Sequence, residues 1–296
     1  MLKEKIEIIF NLHYKKFIIL PILVLLFSLI VIANKYYTTG DFIEKDISLK
    51  GGISATIHTD KQLDIKEAEL FLSSKLKSDV SVRKIADFTT GKQIGITVET
   101  TNNNVEDLRN ALQEKLQIQL TNENYSAEEV GSSLGESFFK ELLYAVLFAF
   151  IFISIVVFIT FRVPIPSLTV LLAAFTDIIA TLAVVNLLGI KMSTGGIAAF
   201  LMLIGYSIDT DILLTTRVLK RKEGSLFDRM YESAKPGLMM TSTTIVAVLV
   251  GYLVSTSIVM QQIFLIILIG GIWDIFNTWI TNTCILYWYC KAKGIT

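Results

Sequence analysis

Four aspartates stand inside segments apolar enough to cross a bilayer: Asp177, Asp209, Asp211 and Asp274. Two of them share the stretch Gly205-Tyr206-Ser207-Ile208-Asp209-Thr210-Asp211, and from Gly195 to Leu219 the only other charge is Arg217. A charge at the bilayer centre costs from ~2.5–3.5 kcal/mol on insertion scales to far more in simulations, so an intramembrane acid marks a functional site by default. The chemistry that suits it is proton uptake and release at mid-membrane, the part a proton-driven machine requires.

Two other roles compete for these residues. One is structural, the acids serving as hydrogen-bond partners between helices. The other is intramembrane proteolysis, in which two carboxyl groups share a proton and activate water. The neighbouring residues argue against proteolysis. That enzyme class has Tyr-Asp on one helix and Gly-x-Gly-Asp on the next, whereas Asp177 follows Thr176 and Asp209 follows Ser207-Ile208.

Successive helix residues turn by about 100°, so Asp209 and Asp211 point about 200° apart and cannot face the same neighbour. One faces the bundle and the other a second helix or a partner chain. Asp177, Asp209 and Asp274 fall near the middle of the third, fourth and sixth apolar segments, hence at one depth. Thr176, Thr181, Ser207, Thr210, Thr215, Thr216, Asn277 and Thr278 are placed to hydrogen-bond the acids or to hold water.

Apolar stretches of the roughly 20 residues needed to cross hydrocarbon run near 17–33, 142–161, 164–188, 195–219, 237–255 and 263–287. These predict six transmembrane helices. Residues 1–33 form the amino terminus and first span, which lacks a small-residue cleavage site and reads as a retained anchor. Residues 142–296 form a five-helix region with the basic, amphipathic segment 220–235, which reads as a stretch lying along the membrane surface or against a cytoplasmic partner, or as an ordinary anchor. Lys3, Lys5, Lys15, Lys16, Arg162, Lys220, Arg221, Lys222, Arg229, Lys235, Lys291 and Lys293 fall on the side of the amino terminus if the spans alternate. The positive-inside rule then places both termini in the cytoplasm of a cell-membrane protein and residues 34–141 outside. Cys284 and Cys290, at the last span, read as buried thiols.

Residues 34–141 have the composition of a soluble domain. A strand begins near Gly51-Gly52, where adjacent glycines signal a bulge, close backbone approach or a plain turn. Helical spacing follows over 63–77, strands over 80–88 and 93–99 about the turn Thr90-Gly91, and a second helix over 105–116. A last strand at 117–120 or 125–130 completes β-α-β-β-α-β, a ferredoxin-like order. The fold class is therefore a polytopic α-helical membrane protein carrying an external α+β ferredoxin-like domain. No nucleotide-binding loop and no metal-ligand spacing occur, so neither cofactor, metal nor nucleic-acid partner is expected.

Three motifs carry a family resemblance over nearly the whole chain: Asp46-Ile-Ser-Leu-Lys-Gly51-Gly52 after the first span, Val130-Gly131-Ser-Ser-Leu-Gly135 before the second, and Gly205-Tyr206-Ser-Ile-Asp209 in the fourth. They resemble the SecD/SecF protein-export family, related to the resistance-nodulation-division (RND) transporters, and the archaeal SecF pattern fits best. Bacterial SecF sequences read Gly-Tyr-Ser-Ile-Asn-Asp, which sets their acid opposite Thr210, while Asp209 matches the SecD position; the resemblance favours Asp209 over Asp211 as relay acid. It also implies a cation at the start of the fifth span, where Lys235-Pro236 stands. By resemblance the chain is an RND-like half-bundle that pairs with a SecD-like subunit at the Sec translocon, lies in membrane lipid, and draws an unfolded exported polypeptide outward using the proton gradient. It would be no enzyme in the bond-making sense. A translocon scaffold and an RND-like exporter of lipids or small molecules are the alternatives.

Overall fold

The computed structural model describes residues 2–86, 92–102, 104–221, 223–255 and 257–295. The turn at Thr90-Gly91, the end of the strand predicted over 80–88, and Lys222 lie outside the described residues.

Helix α1 (Leu2–Phe17) leads into α2 (Ile19–Thr39). Pro21 has no N–H to return to the carbonyl of Phe17, which ends one helix and starts the next. A single helical turn, α3 (Ile47–Lys50), precedes a four-stranded unit: β1 (Gly52–His58), α4 (Ile65–Leu76), β2 (Val80–Ala86), β3 (Gln93–Thr100), α5 (Val105–Leu116) and β4 (Tyr125–Val130). The strands form one antiparallel sheet in the order β2-β3-β1-β4, the ferredoxin-like arrangement. Alternation decides its two faces. Ile53, Ala55, Ile57, Val82, Ile96 and Val98 pack on Leu72, Leu108, Leu112 and Leu116 of the helices, while Ser54, Thr56, His58, Thr97 and Glu99 take the other face. Asp64 and Asn104 cap the two helices through backbone N–H groups of their first turns.

The membrane region comprises α6 (Ser132–Phe161), α7 (Pro164–Leu187), α8 (Thr194–Lys220), α9 (Leu226–Val254), α10 (Ile258–Phe276), a π-helical segment (Asn277–Asn282) and α11 (Thr283–Ala292). With α2, these make six helical stretches among the described residues long and apolar enough to span a membrane. Cys284 and Cys290 are buried free thiols.

Segment 220–235 is not a separate surface helix. Ser225 and Asp228 form a reciprocal capping box that starts α9 at Leu226, and Leu226, Phe227 and Met230 are buried, the first and last of these among Tyr14, Leu214 and Tyr287. Burial of that apolar edge against the bundle end outweighs exposing it along a surface. Pro236 sits inside α9. It leaves the carbonyl of Glu232 without its helical donor, and Arg217 Nη1 donates to that oxygen at 3.2 Å.

The β unit is joined to the bundle by the strap 41–50. Met192 donates through its N–H to Glu44 O (2.6 Å) and accepts from Asp46 N–H (2.9 Å), the N–H of Thr194 donates to Ser48 Oγ (3.0 Å), and Asn186 Nδ2 donates to Phe42 O (3.0 Å). Behind the strap the first two family motifs meet. A Cβ on Gly135 would lie 2.9 Å from Gly51 N, and one on Gly52 would lie 2.2 Å from Thr100 O. Gly52 therefore serves close backbone approach, while Gly51 ends the α3 turn at φ +83°, donating to Ile47 O.

Candidate functional site

Asp177, Asp211 and Asp274 are each 0% exposed. They converge because α7, α8 and α10 pack on one another, with the π segment turning a row of polar side chains toward them. Asp177 Oδ2 accepts from Ser207 Oγ at 2.5 Å, and its Oδ1 accepts from Asn277 Nδ2 at 2.6 Å. Asp211 Oδ1 accepts from Asn282 Nδ2 at 2.8 Å. The hydroxyl of Thr278 lies 2.9 Å from Asp211 Oδ1 and 3.2 Å from Asp274 Oδ1. Thr241 Oγ1 on α9 lies 3.2 Å from Asp274 Oδ2 and 3.3 Å from the carbonyl of Gly237.

Each position is set by a local cause. The wide turn of a π-helix shifts the side chains that follow it, and such segments occur at functional sites. Gly237 allows α9 to close on this segment, since a Cβ there would lie 2.3 Å from the Trp279 ring. No ion pair among the described residues reaches the three carboxylates. Asp211 Oδ2, Thr215 Oγ1 and Asn282 Oδ1 are buried without a protein partner. The arrangement holds two carboxyl groups, Asp211 and Asp274, on a single hydroxyl.

Asp209 does not join this cluster. It is exposed on the outer side of α8 and makes no hydrogen bond among the described residues, whereas Asp211, two positions on, points inward. Asp209, which the resemblance favours as relay acid, lies outside the cluster because the side of α8 that carries Ser207, Thr210 and Asp211 is the side packed on α7, α9 and the π segment. Gly205, one turn before Asp209, is exposed too, and a Cβ there would meet nothing within 4 Å. Tyr206 is half-buried. Lys235 is exposed on α9 and pairs with none of the acids, since the inward side of this part of the helix carries Ser233 and Gly237. Gly131 heads α6 with open space around it. Thr241, Thr281 and Asn282 went unnoticed in the sequence. The polar run Asn277-Thr278-x-x-Thr281-Asn282 in an otherwise apolar span was the signal for the last two.

At the β-unit end, Asp46 Oδ1 accepts from Ser48 N–H (2.9 Å) and Ser48 Oγ (2.5 Å). Burial pushes the Asp46 carboxyl up to about 6 against the opposing hydrogen bond from Ser48, with nearby Glu99 adding to the rise and Arg83 countering it.

Comparison with known proteins follows the same outline. Residues 111–292 match the C-terminal family of protein export membrane protein SecD/SecF. Protein-export membrane protein SecF of Pyrococcus furiosus is 36% identical over 99% of this chain and 97% of its own, and that of Methanocaldococcus jannaschii 37% identical over 95% and 99%. The crystal structure of SecDF, a translocon-associated membrane protein from Thermus thermophilus, superposes with a TM-score of 0.74 at 18% identity, over 94% of this chain but 38% of that one. SecDF in its super-membrane-facing form gives 0.62 at 20% identity. The chain thus spans well under half of those SecDF chains, with which it shares the fold. This chain belongs to the SecD/SecF family of protein-export membrane proteins.

Proposed function

We propose that this chain is the SecF-type half of a two-half machine that assists Sec-dependent translocation, with proton transfer through Asp177, Asp211 and Asp274 driving the β unit to draw an exported polypeptide outward. The observation that carries this reading is the hydroxyl of Thr278 lying between Asp211 and Asp274. A hydroxyl has one proton to give. With both carboxylates ionised, one of its two contacts has no hydrogen, and Thr241 faces the same conflict between Asp274 Oδ2 and Gly237 O. A proton on Asp274 Oδ2 resolves the second conflict, donating to Thr241 while Thr241 donates to Gly237 O. Uptake and loss of that proton therefore rewire contacts among α8, α9 and the π segment. No covalent bond of a substrate is made or broken in this reading.

A SecD-like chain supplies the other half. The exposed Asp209 with Gly205 beside it cannot face lipid cheaply, and a small residue next to a polar one is how membrane helices dock. The partner covers this face of α8. Both termini lie in the cytoplasm and the β unit outside, following the basic residues.

The test is export from vesicles that contain this chain, its SecD-like partner and the translocon. Asp211→Asn removes the titration but keeps the size and the acceptor oxygen. Loss of gradient-dependent export with complex assembly intact supports the relay; full export by Asp211→Asn favours a scaffold in which only the hydrogen bonds matter.

A further inference from the structure

Gln262 sits near the start of α10, far from the carboxylates, yet it is buried and makes more polar contacts than the packing of a membrane helix requires. Its Oε1 accepts from the N–H of Ser193 at 3.1 Å and from the Ser193 hydroxyl, and its Nε2 donates to Lys191 O at 2.5 Å. Ser193 is at the same time the cap of α8, its Oγ accepting from Gly196 N–H. Room for this amide is made by Gly196, where a Cβ would lie 2.9 Å from Gln262 Oε1. One side chain of α10 thus holds the loop that begins α8.

The same loop holds the β unit. Met192 exchanges backbone hydrogen bonds with Glu44 and Asp46, and Thr194 donates to Ser48, so the strap, the loop and Gln262 form one continuous polar chain. Open clefts flank it: one of about 320 Å³ between the strap and the β2 edge, and one of about 450 Å³ between the polar sheet face and the ends of α8 and α10. Asp46 lines both, and Gln262 and Ser193 line the second. Beside the apolar packing of Ile43 and Leu49 on Phe139 and Met192, the β unit is thus held to the bundle by this polar chain, with space on either side of it.

We propose that Gln262 is a positioning residue that transmits displacement of α10 and α8 to the β unit. Asp274 lies on α10 twelve residues, about 18 Å, beyond Gln262, and Asp211 on the helix that Ser193 begins. A change in how α8 and α10 meet at the carboxylates arrives at the other end as a shift between Gln262 and the 191–194 loop, and the strap carries it onward. This rests on the proton-driven reading above.

The test uses the complex with its partner in vesicles. Spin labels at Leu70→Cys on α4 and Leu253→Cys on α9, both exposed in the wild type, report the distance of the β unit from the bundle, and a pH dye reports proton flux. Gln262→Leu is expected to keep flux within about 2-fold, to lose the gradient-driven change in label distance, and to lower export about 10-fold, the size of a typical coupling energy. Gln262→Glu keeps the acceptor for Ser193 and is expected to retain most of the response. A distance change that survives in Gln262→Leu overturns the proposal, as does loss of flux together with export, which would make Gln262 a support of the carboxylate site. If Gln262→Leu fails to accumulate, Ser193→Ala is read by the same criteria. Absence of flux in the wild type counts instead against the proton-driven reading.

Discussion

Asp177 and Asn277 stand 100 positions apart in the chain and 2.6 Å apart in space, Nδ2 to Oδ1. That contact ties α7 to the π segment, and Ser207 on the other oxygen of Asp177 ties α7 to α8. With Thr278 and Asn282 reaching Asp211, the acids are held by donors that cross between helices, so a change of protonation acts on helix packing directly.

Thr278→Val should disable the site without opening a cavity, since it replaces only the hydroxyl between Asp211 and Asp274. Gradient-dependent export is expected to fall about 10-fold, and Thr278→Ser to stay within about 3-fold, in line with the worth of one hydrogen bond to a charged group. Equal activity of Thr278→Val and wild type in the vesicle assay would remove the shared hydroxyl from the mechanism.

Asp209→Asn and Asp211→Asn should separate assembly from coupling. Asp209→Asn is expected to change co-purification of the SecD-like subunit while leaving this chain folded, and Asp211→Asn to leave co-purification unchanged. The reverse pattern in a pull-down from native membranes would show that the outer face of α8 is not the one the partner covers.

Gly52→Ala should destabilise the β unit severely. Gly52 has φ +136° and its Cβ would overlap the carbonyl of Thr100, so strain and steric overlap add to about 3 kcal/mol or more. Limited proteolysis of membranes carrying the variant should release the β unit far faster than in wild type.

Asp46 predicts a pH dependence of known sign. Its folded value of about 6 lies above the unfolded 3.8, so the folded chain holds a proton that the unfolded chain has released. Stability from this residue is full below about pH 4 and is lost as pH rises to about 6, by at most about 3 kcal/mol. Asp46→Asn keeps an acceptor for Ser48 and should flatten unfolding midpoints between pH 4 and 7; an unchanged slope would show that another group titrates.

Labelling of Thr101→Cys and Ser225→Cys in intact cells checks orientation. Reagents that do not cross the membrane should reach Thr101→Cys only.

The six apolar segments, the β-α-β-β-α-β order and the four membrane acids were legible in the sequence, because spans depend on local hydropathy and strands and helices on local periodicity. The helical turn of about 100° per residue already separated Asp209 from Asp211. Which of them faces inward was a different matter: it depends on how α8 rotates against α7, α9 and the π segment, and that rotation is chosen by contacts such as Gly237 on Trp279, between residues with no local relation. The π segment was hidden for the same reason. Its six residues are compatible with an ordinary helix, and only the partners waiting at Asp177, Asp211 and Asp274 select the wider turn. Helix α9 begins at Leu226, ahead of the apolar stretch 237–255, because Ser225 and Asp228 cap it there and Arg217 supplies the donor that Pro236 withholds from Glu232, a compensation made across two helices. Local pattern determined which groups enter the membrane, and tertiary packing decided which of them meet.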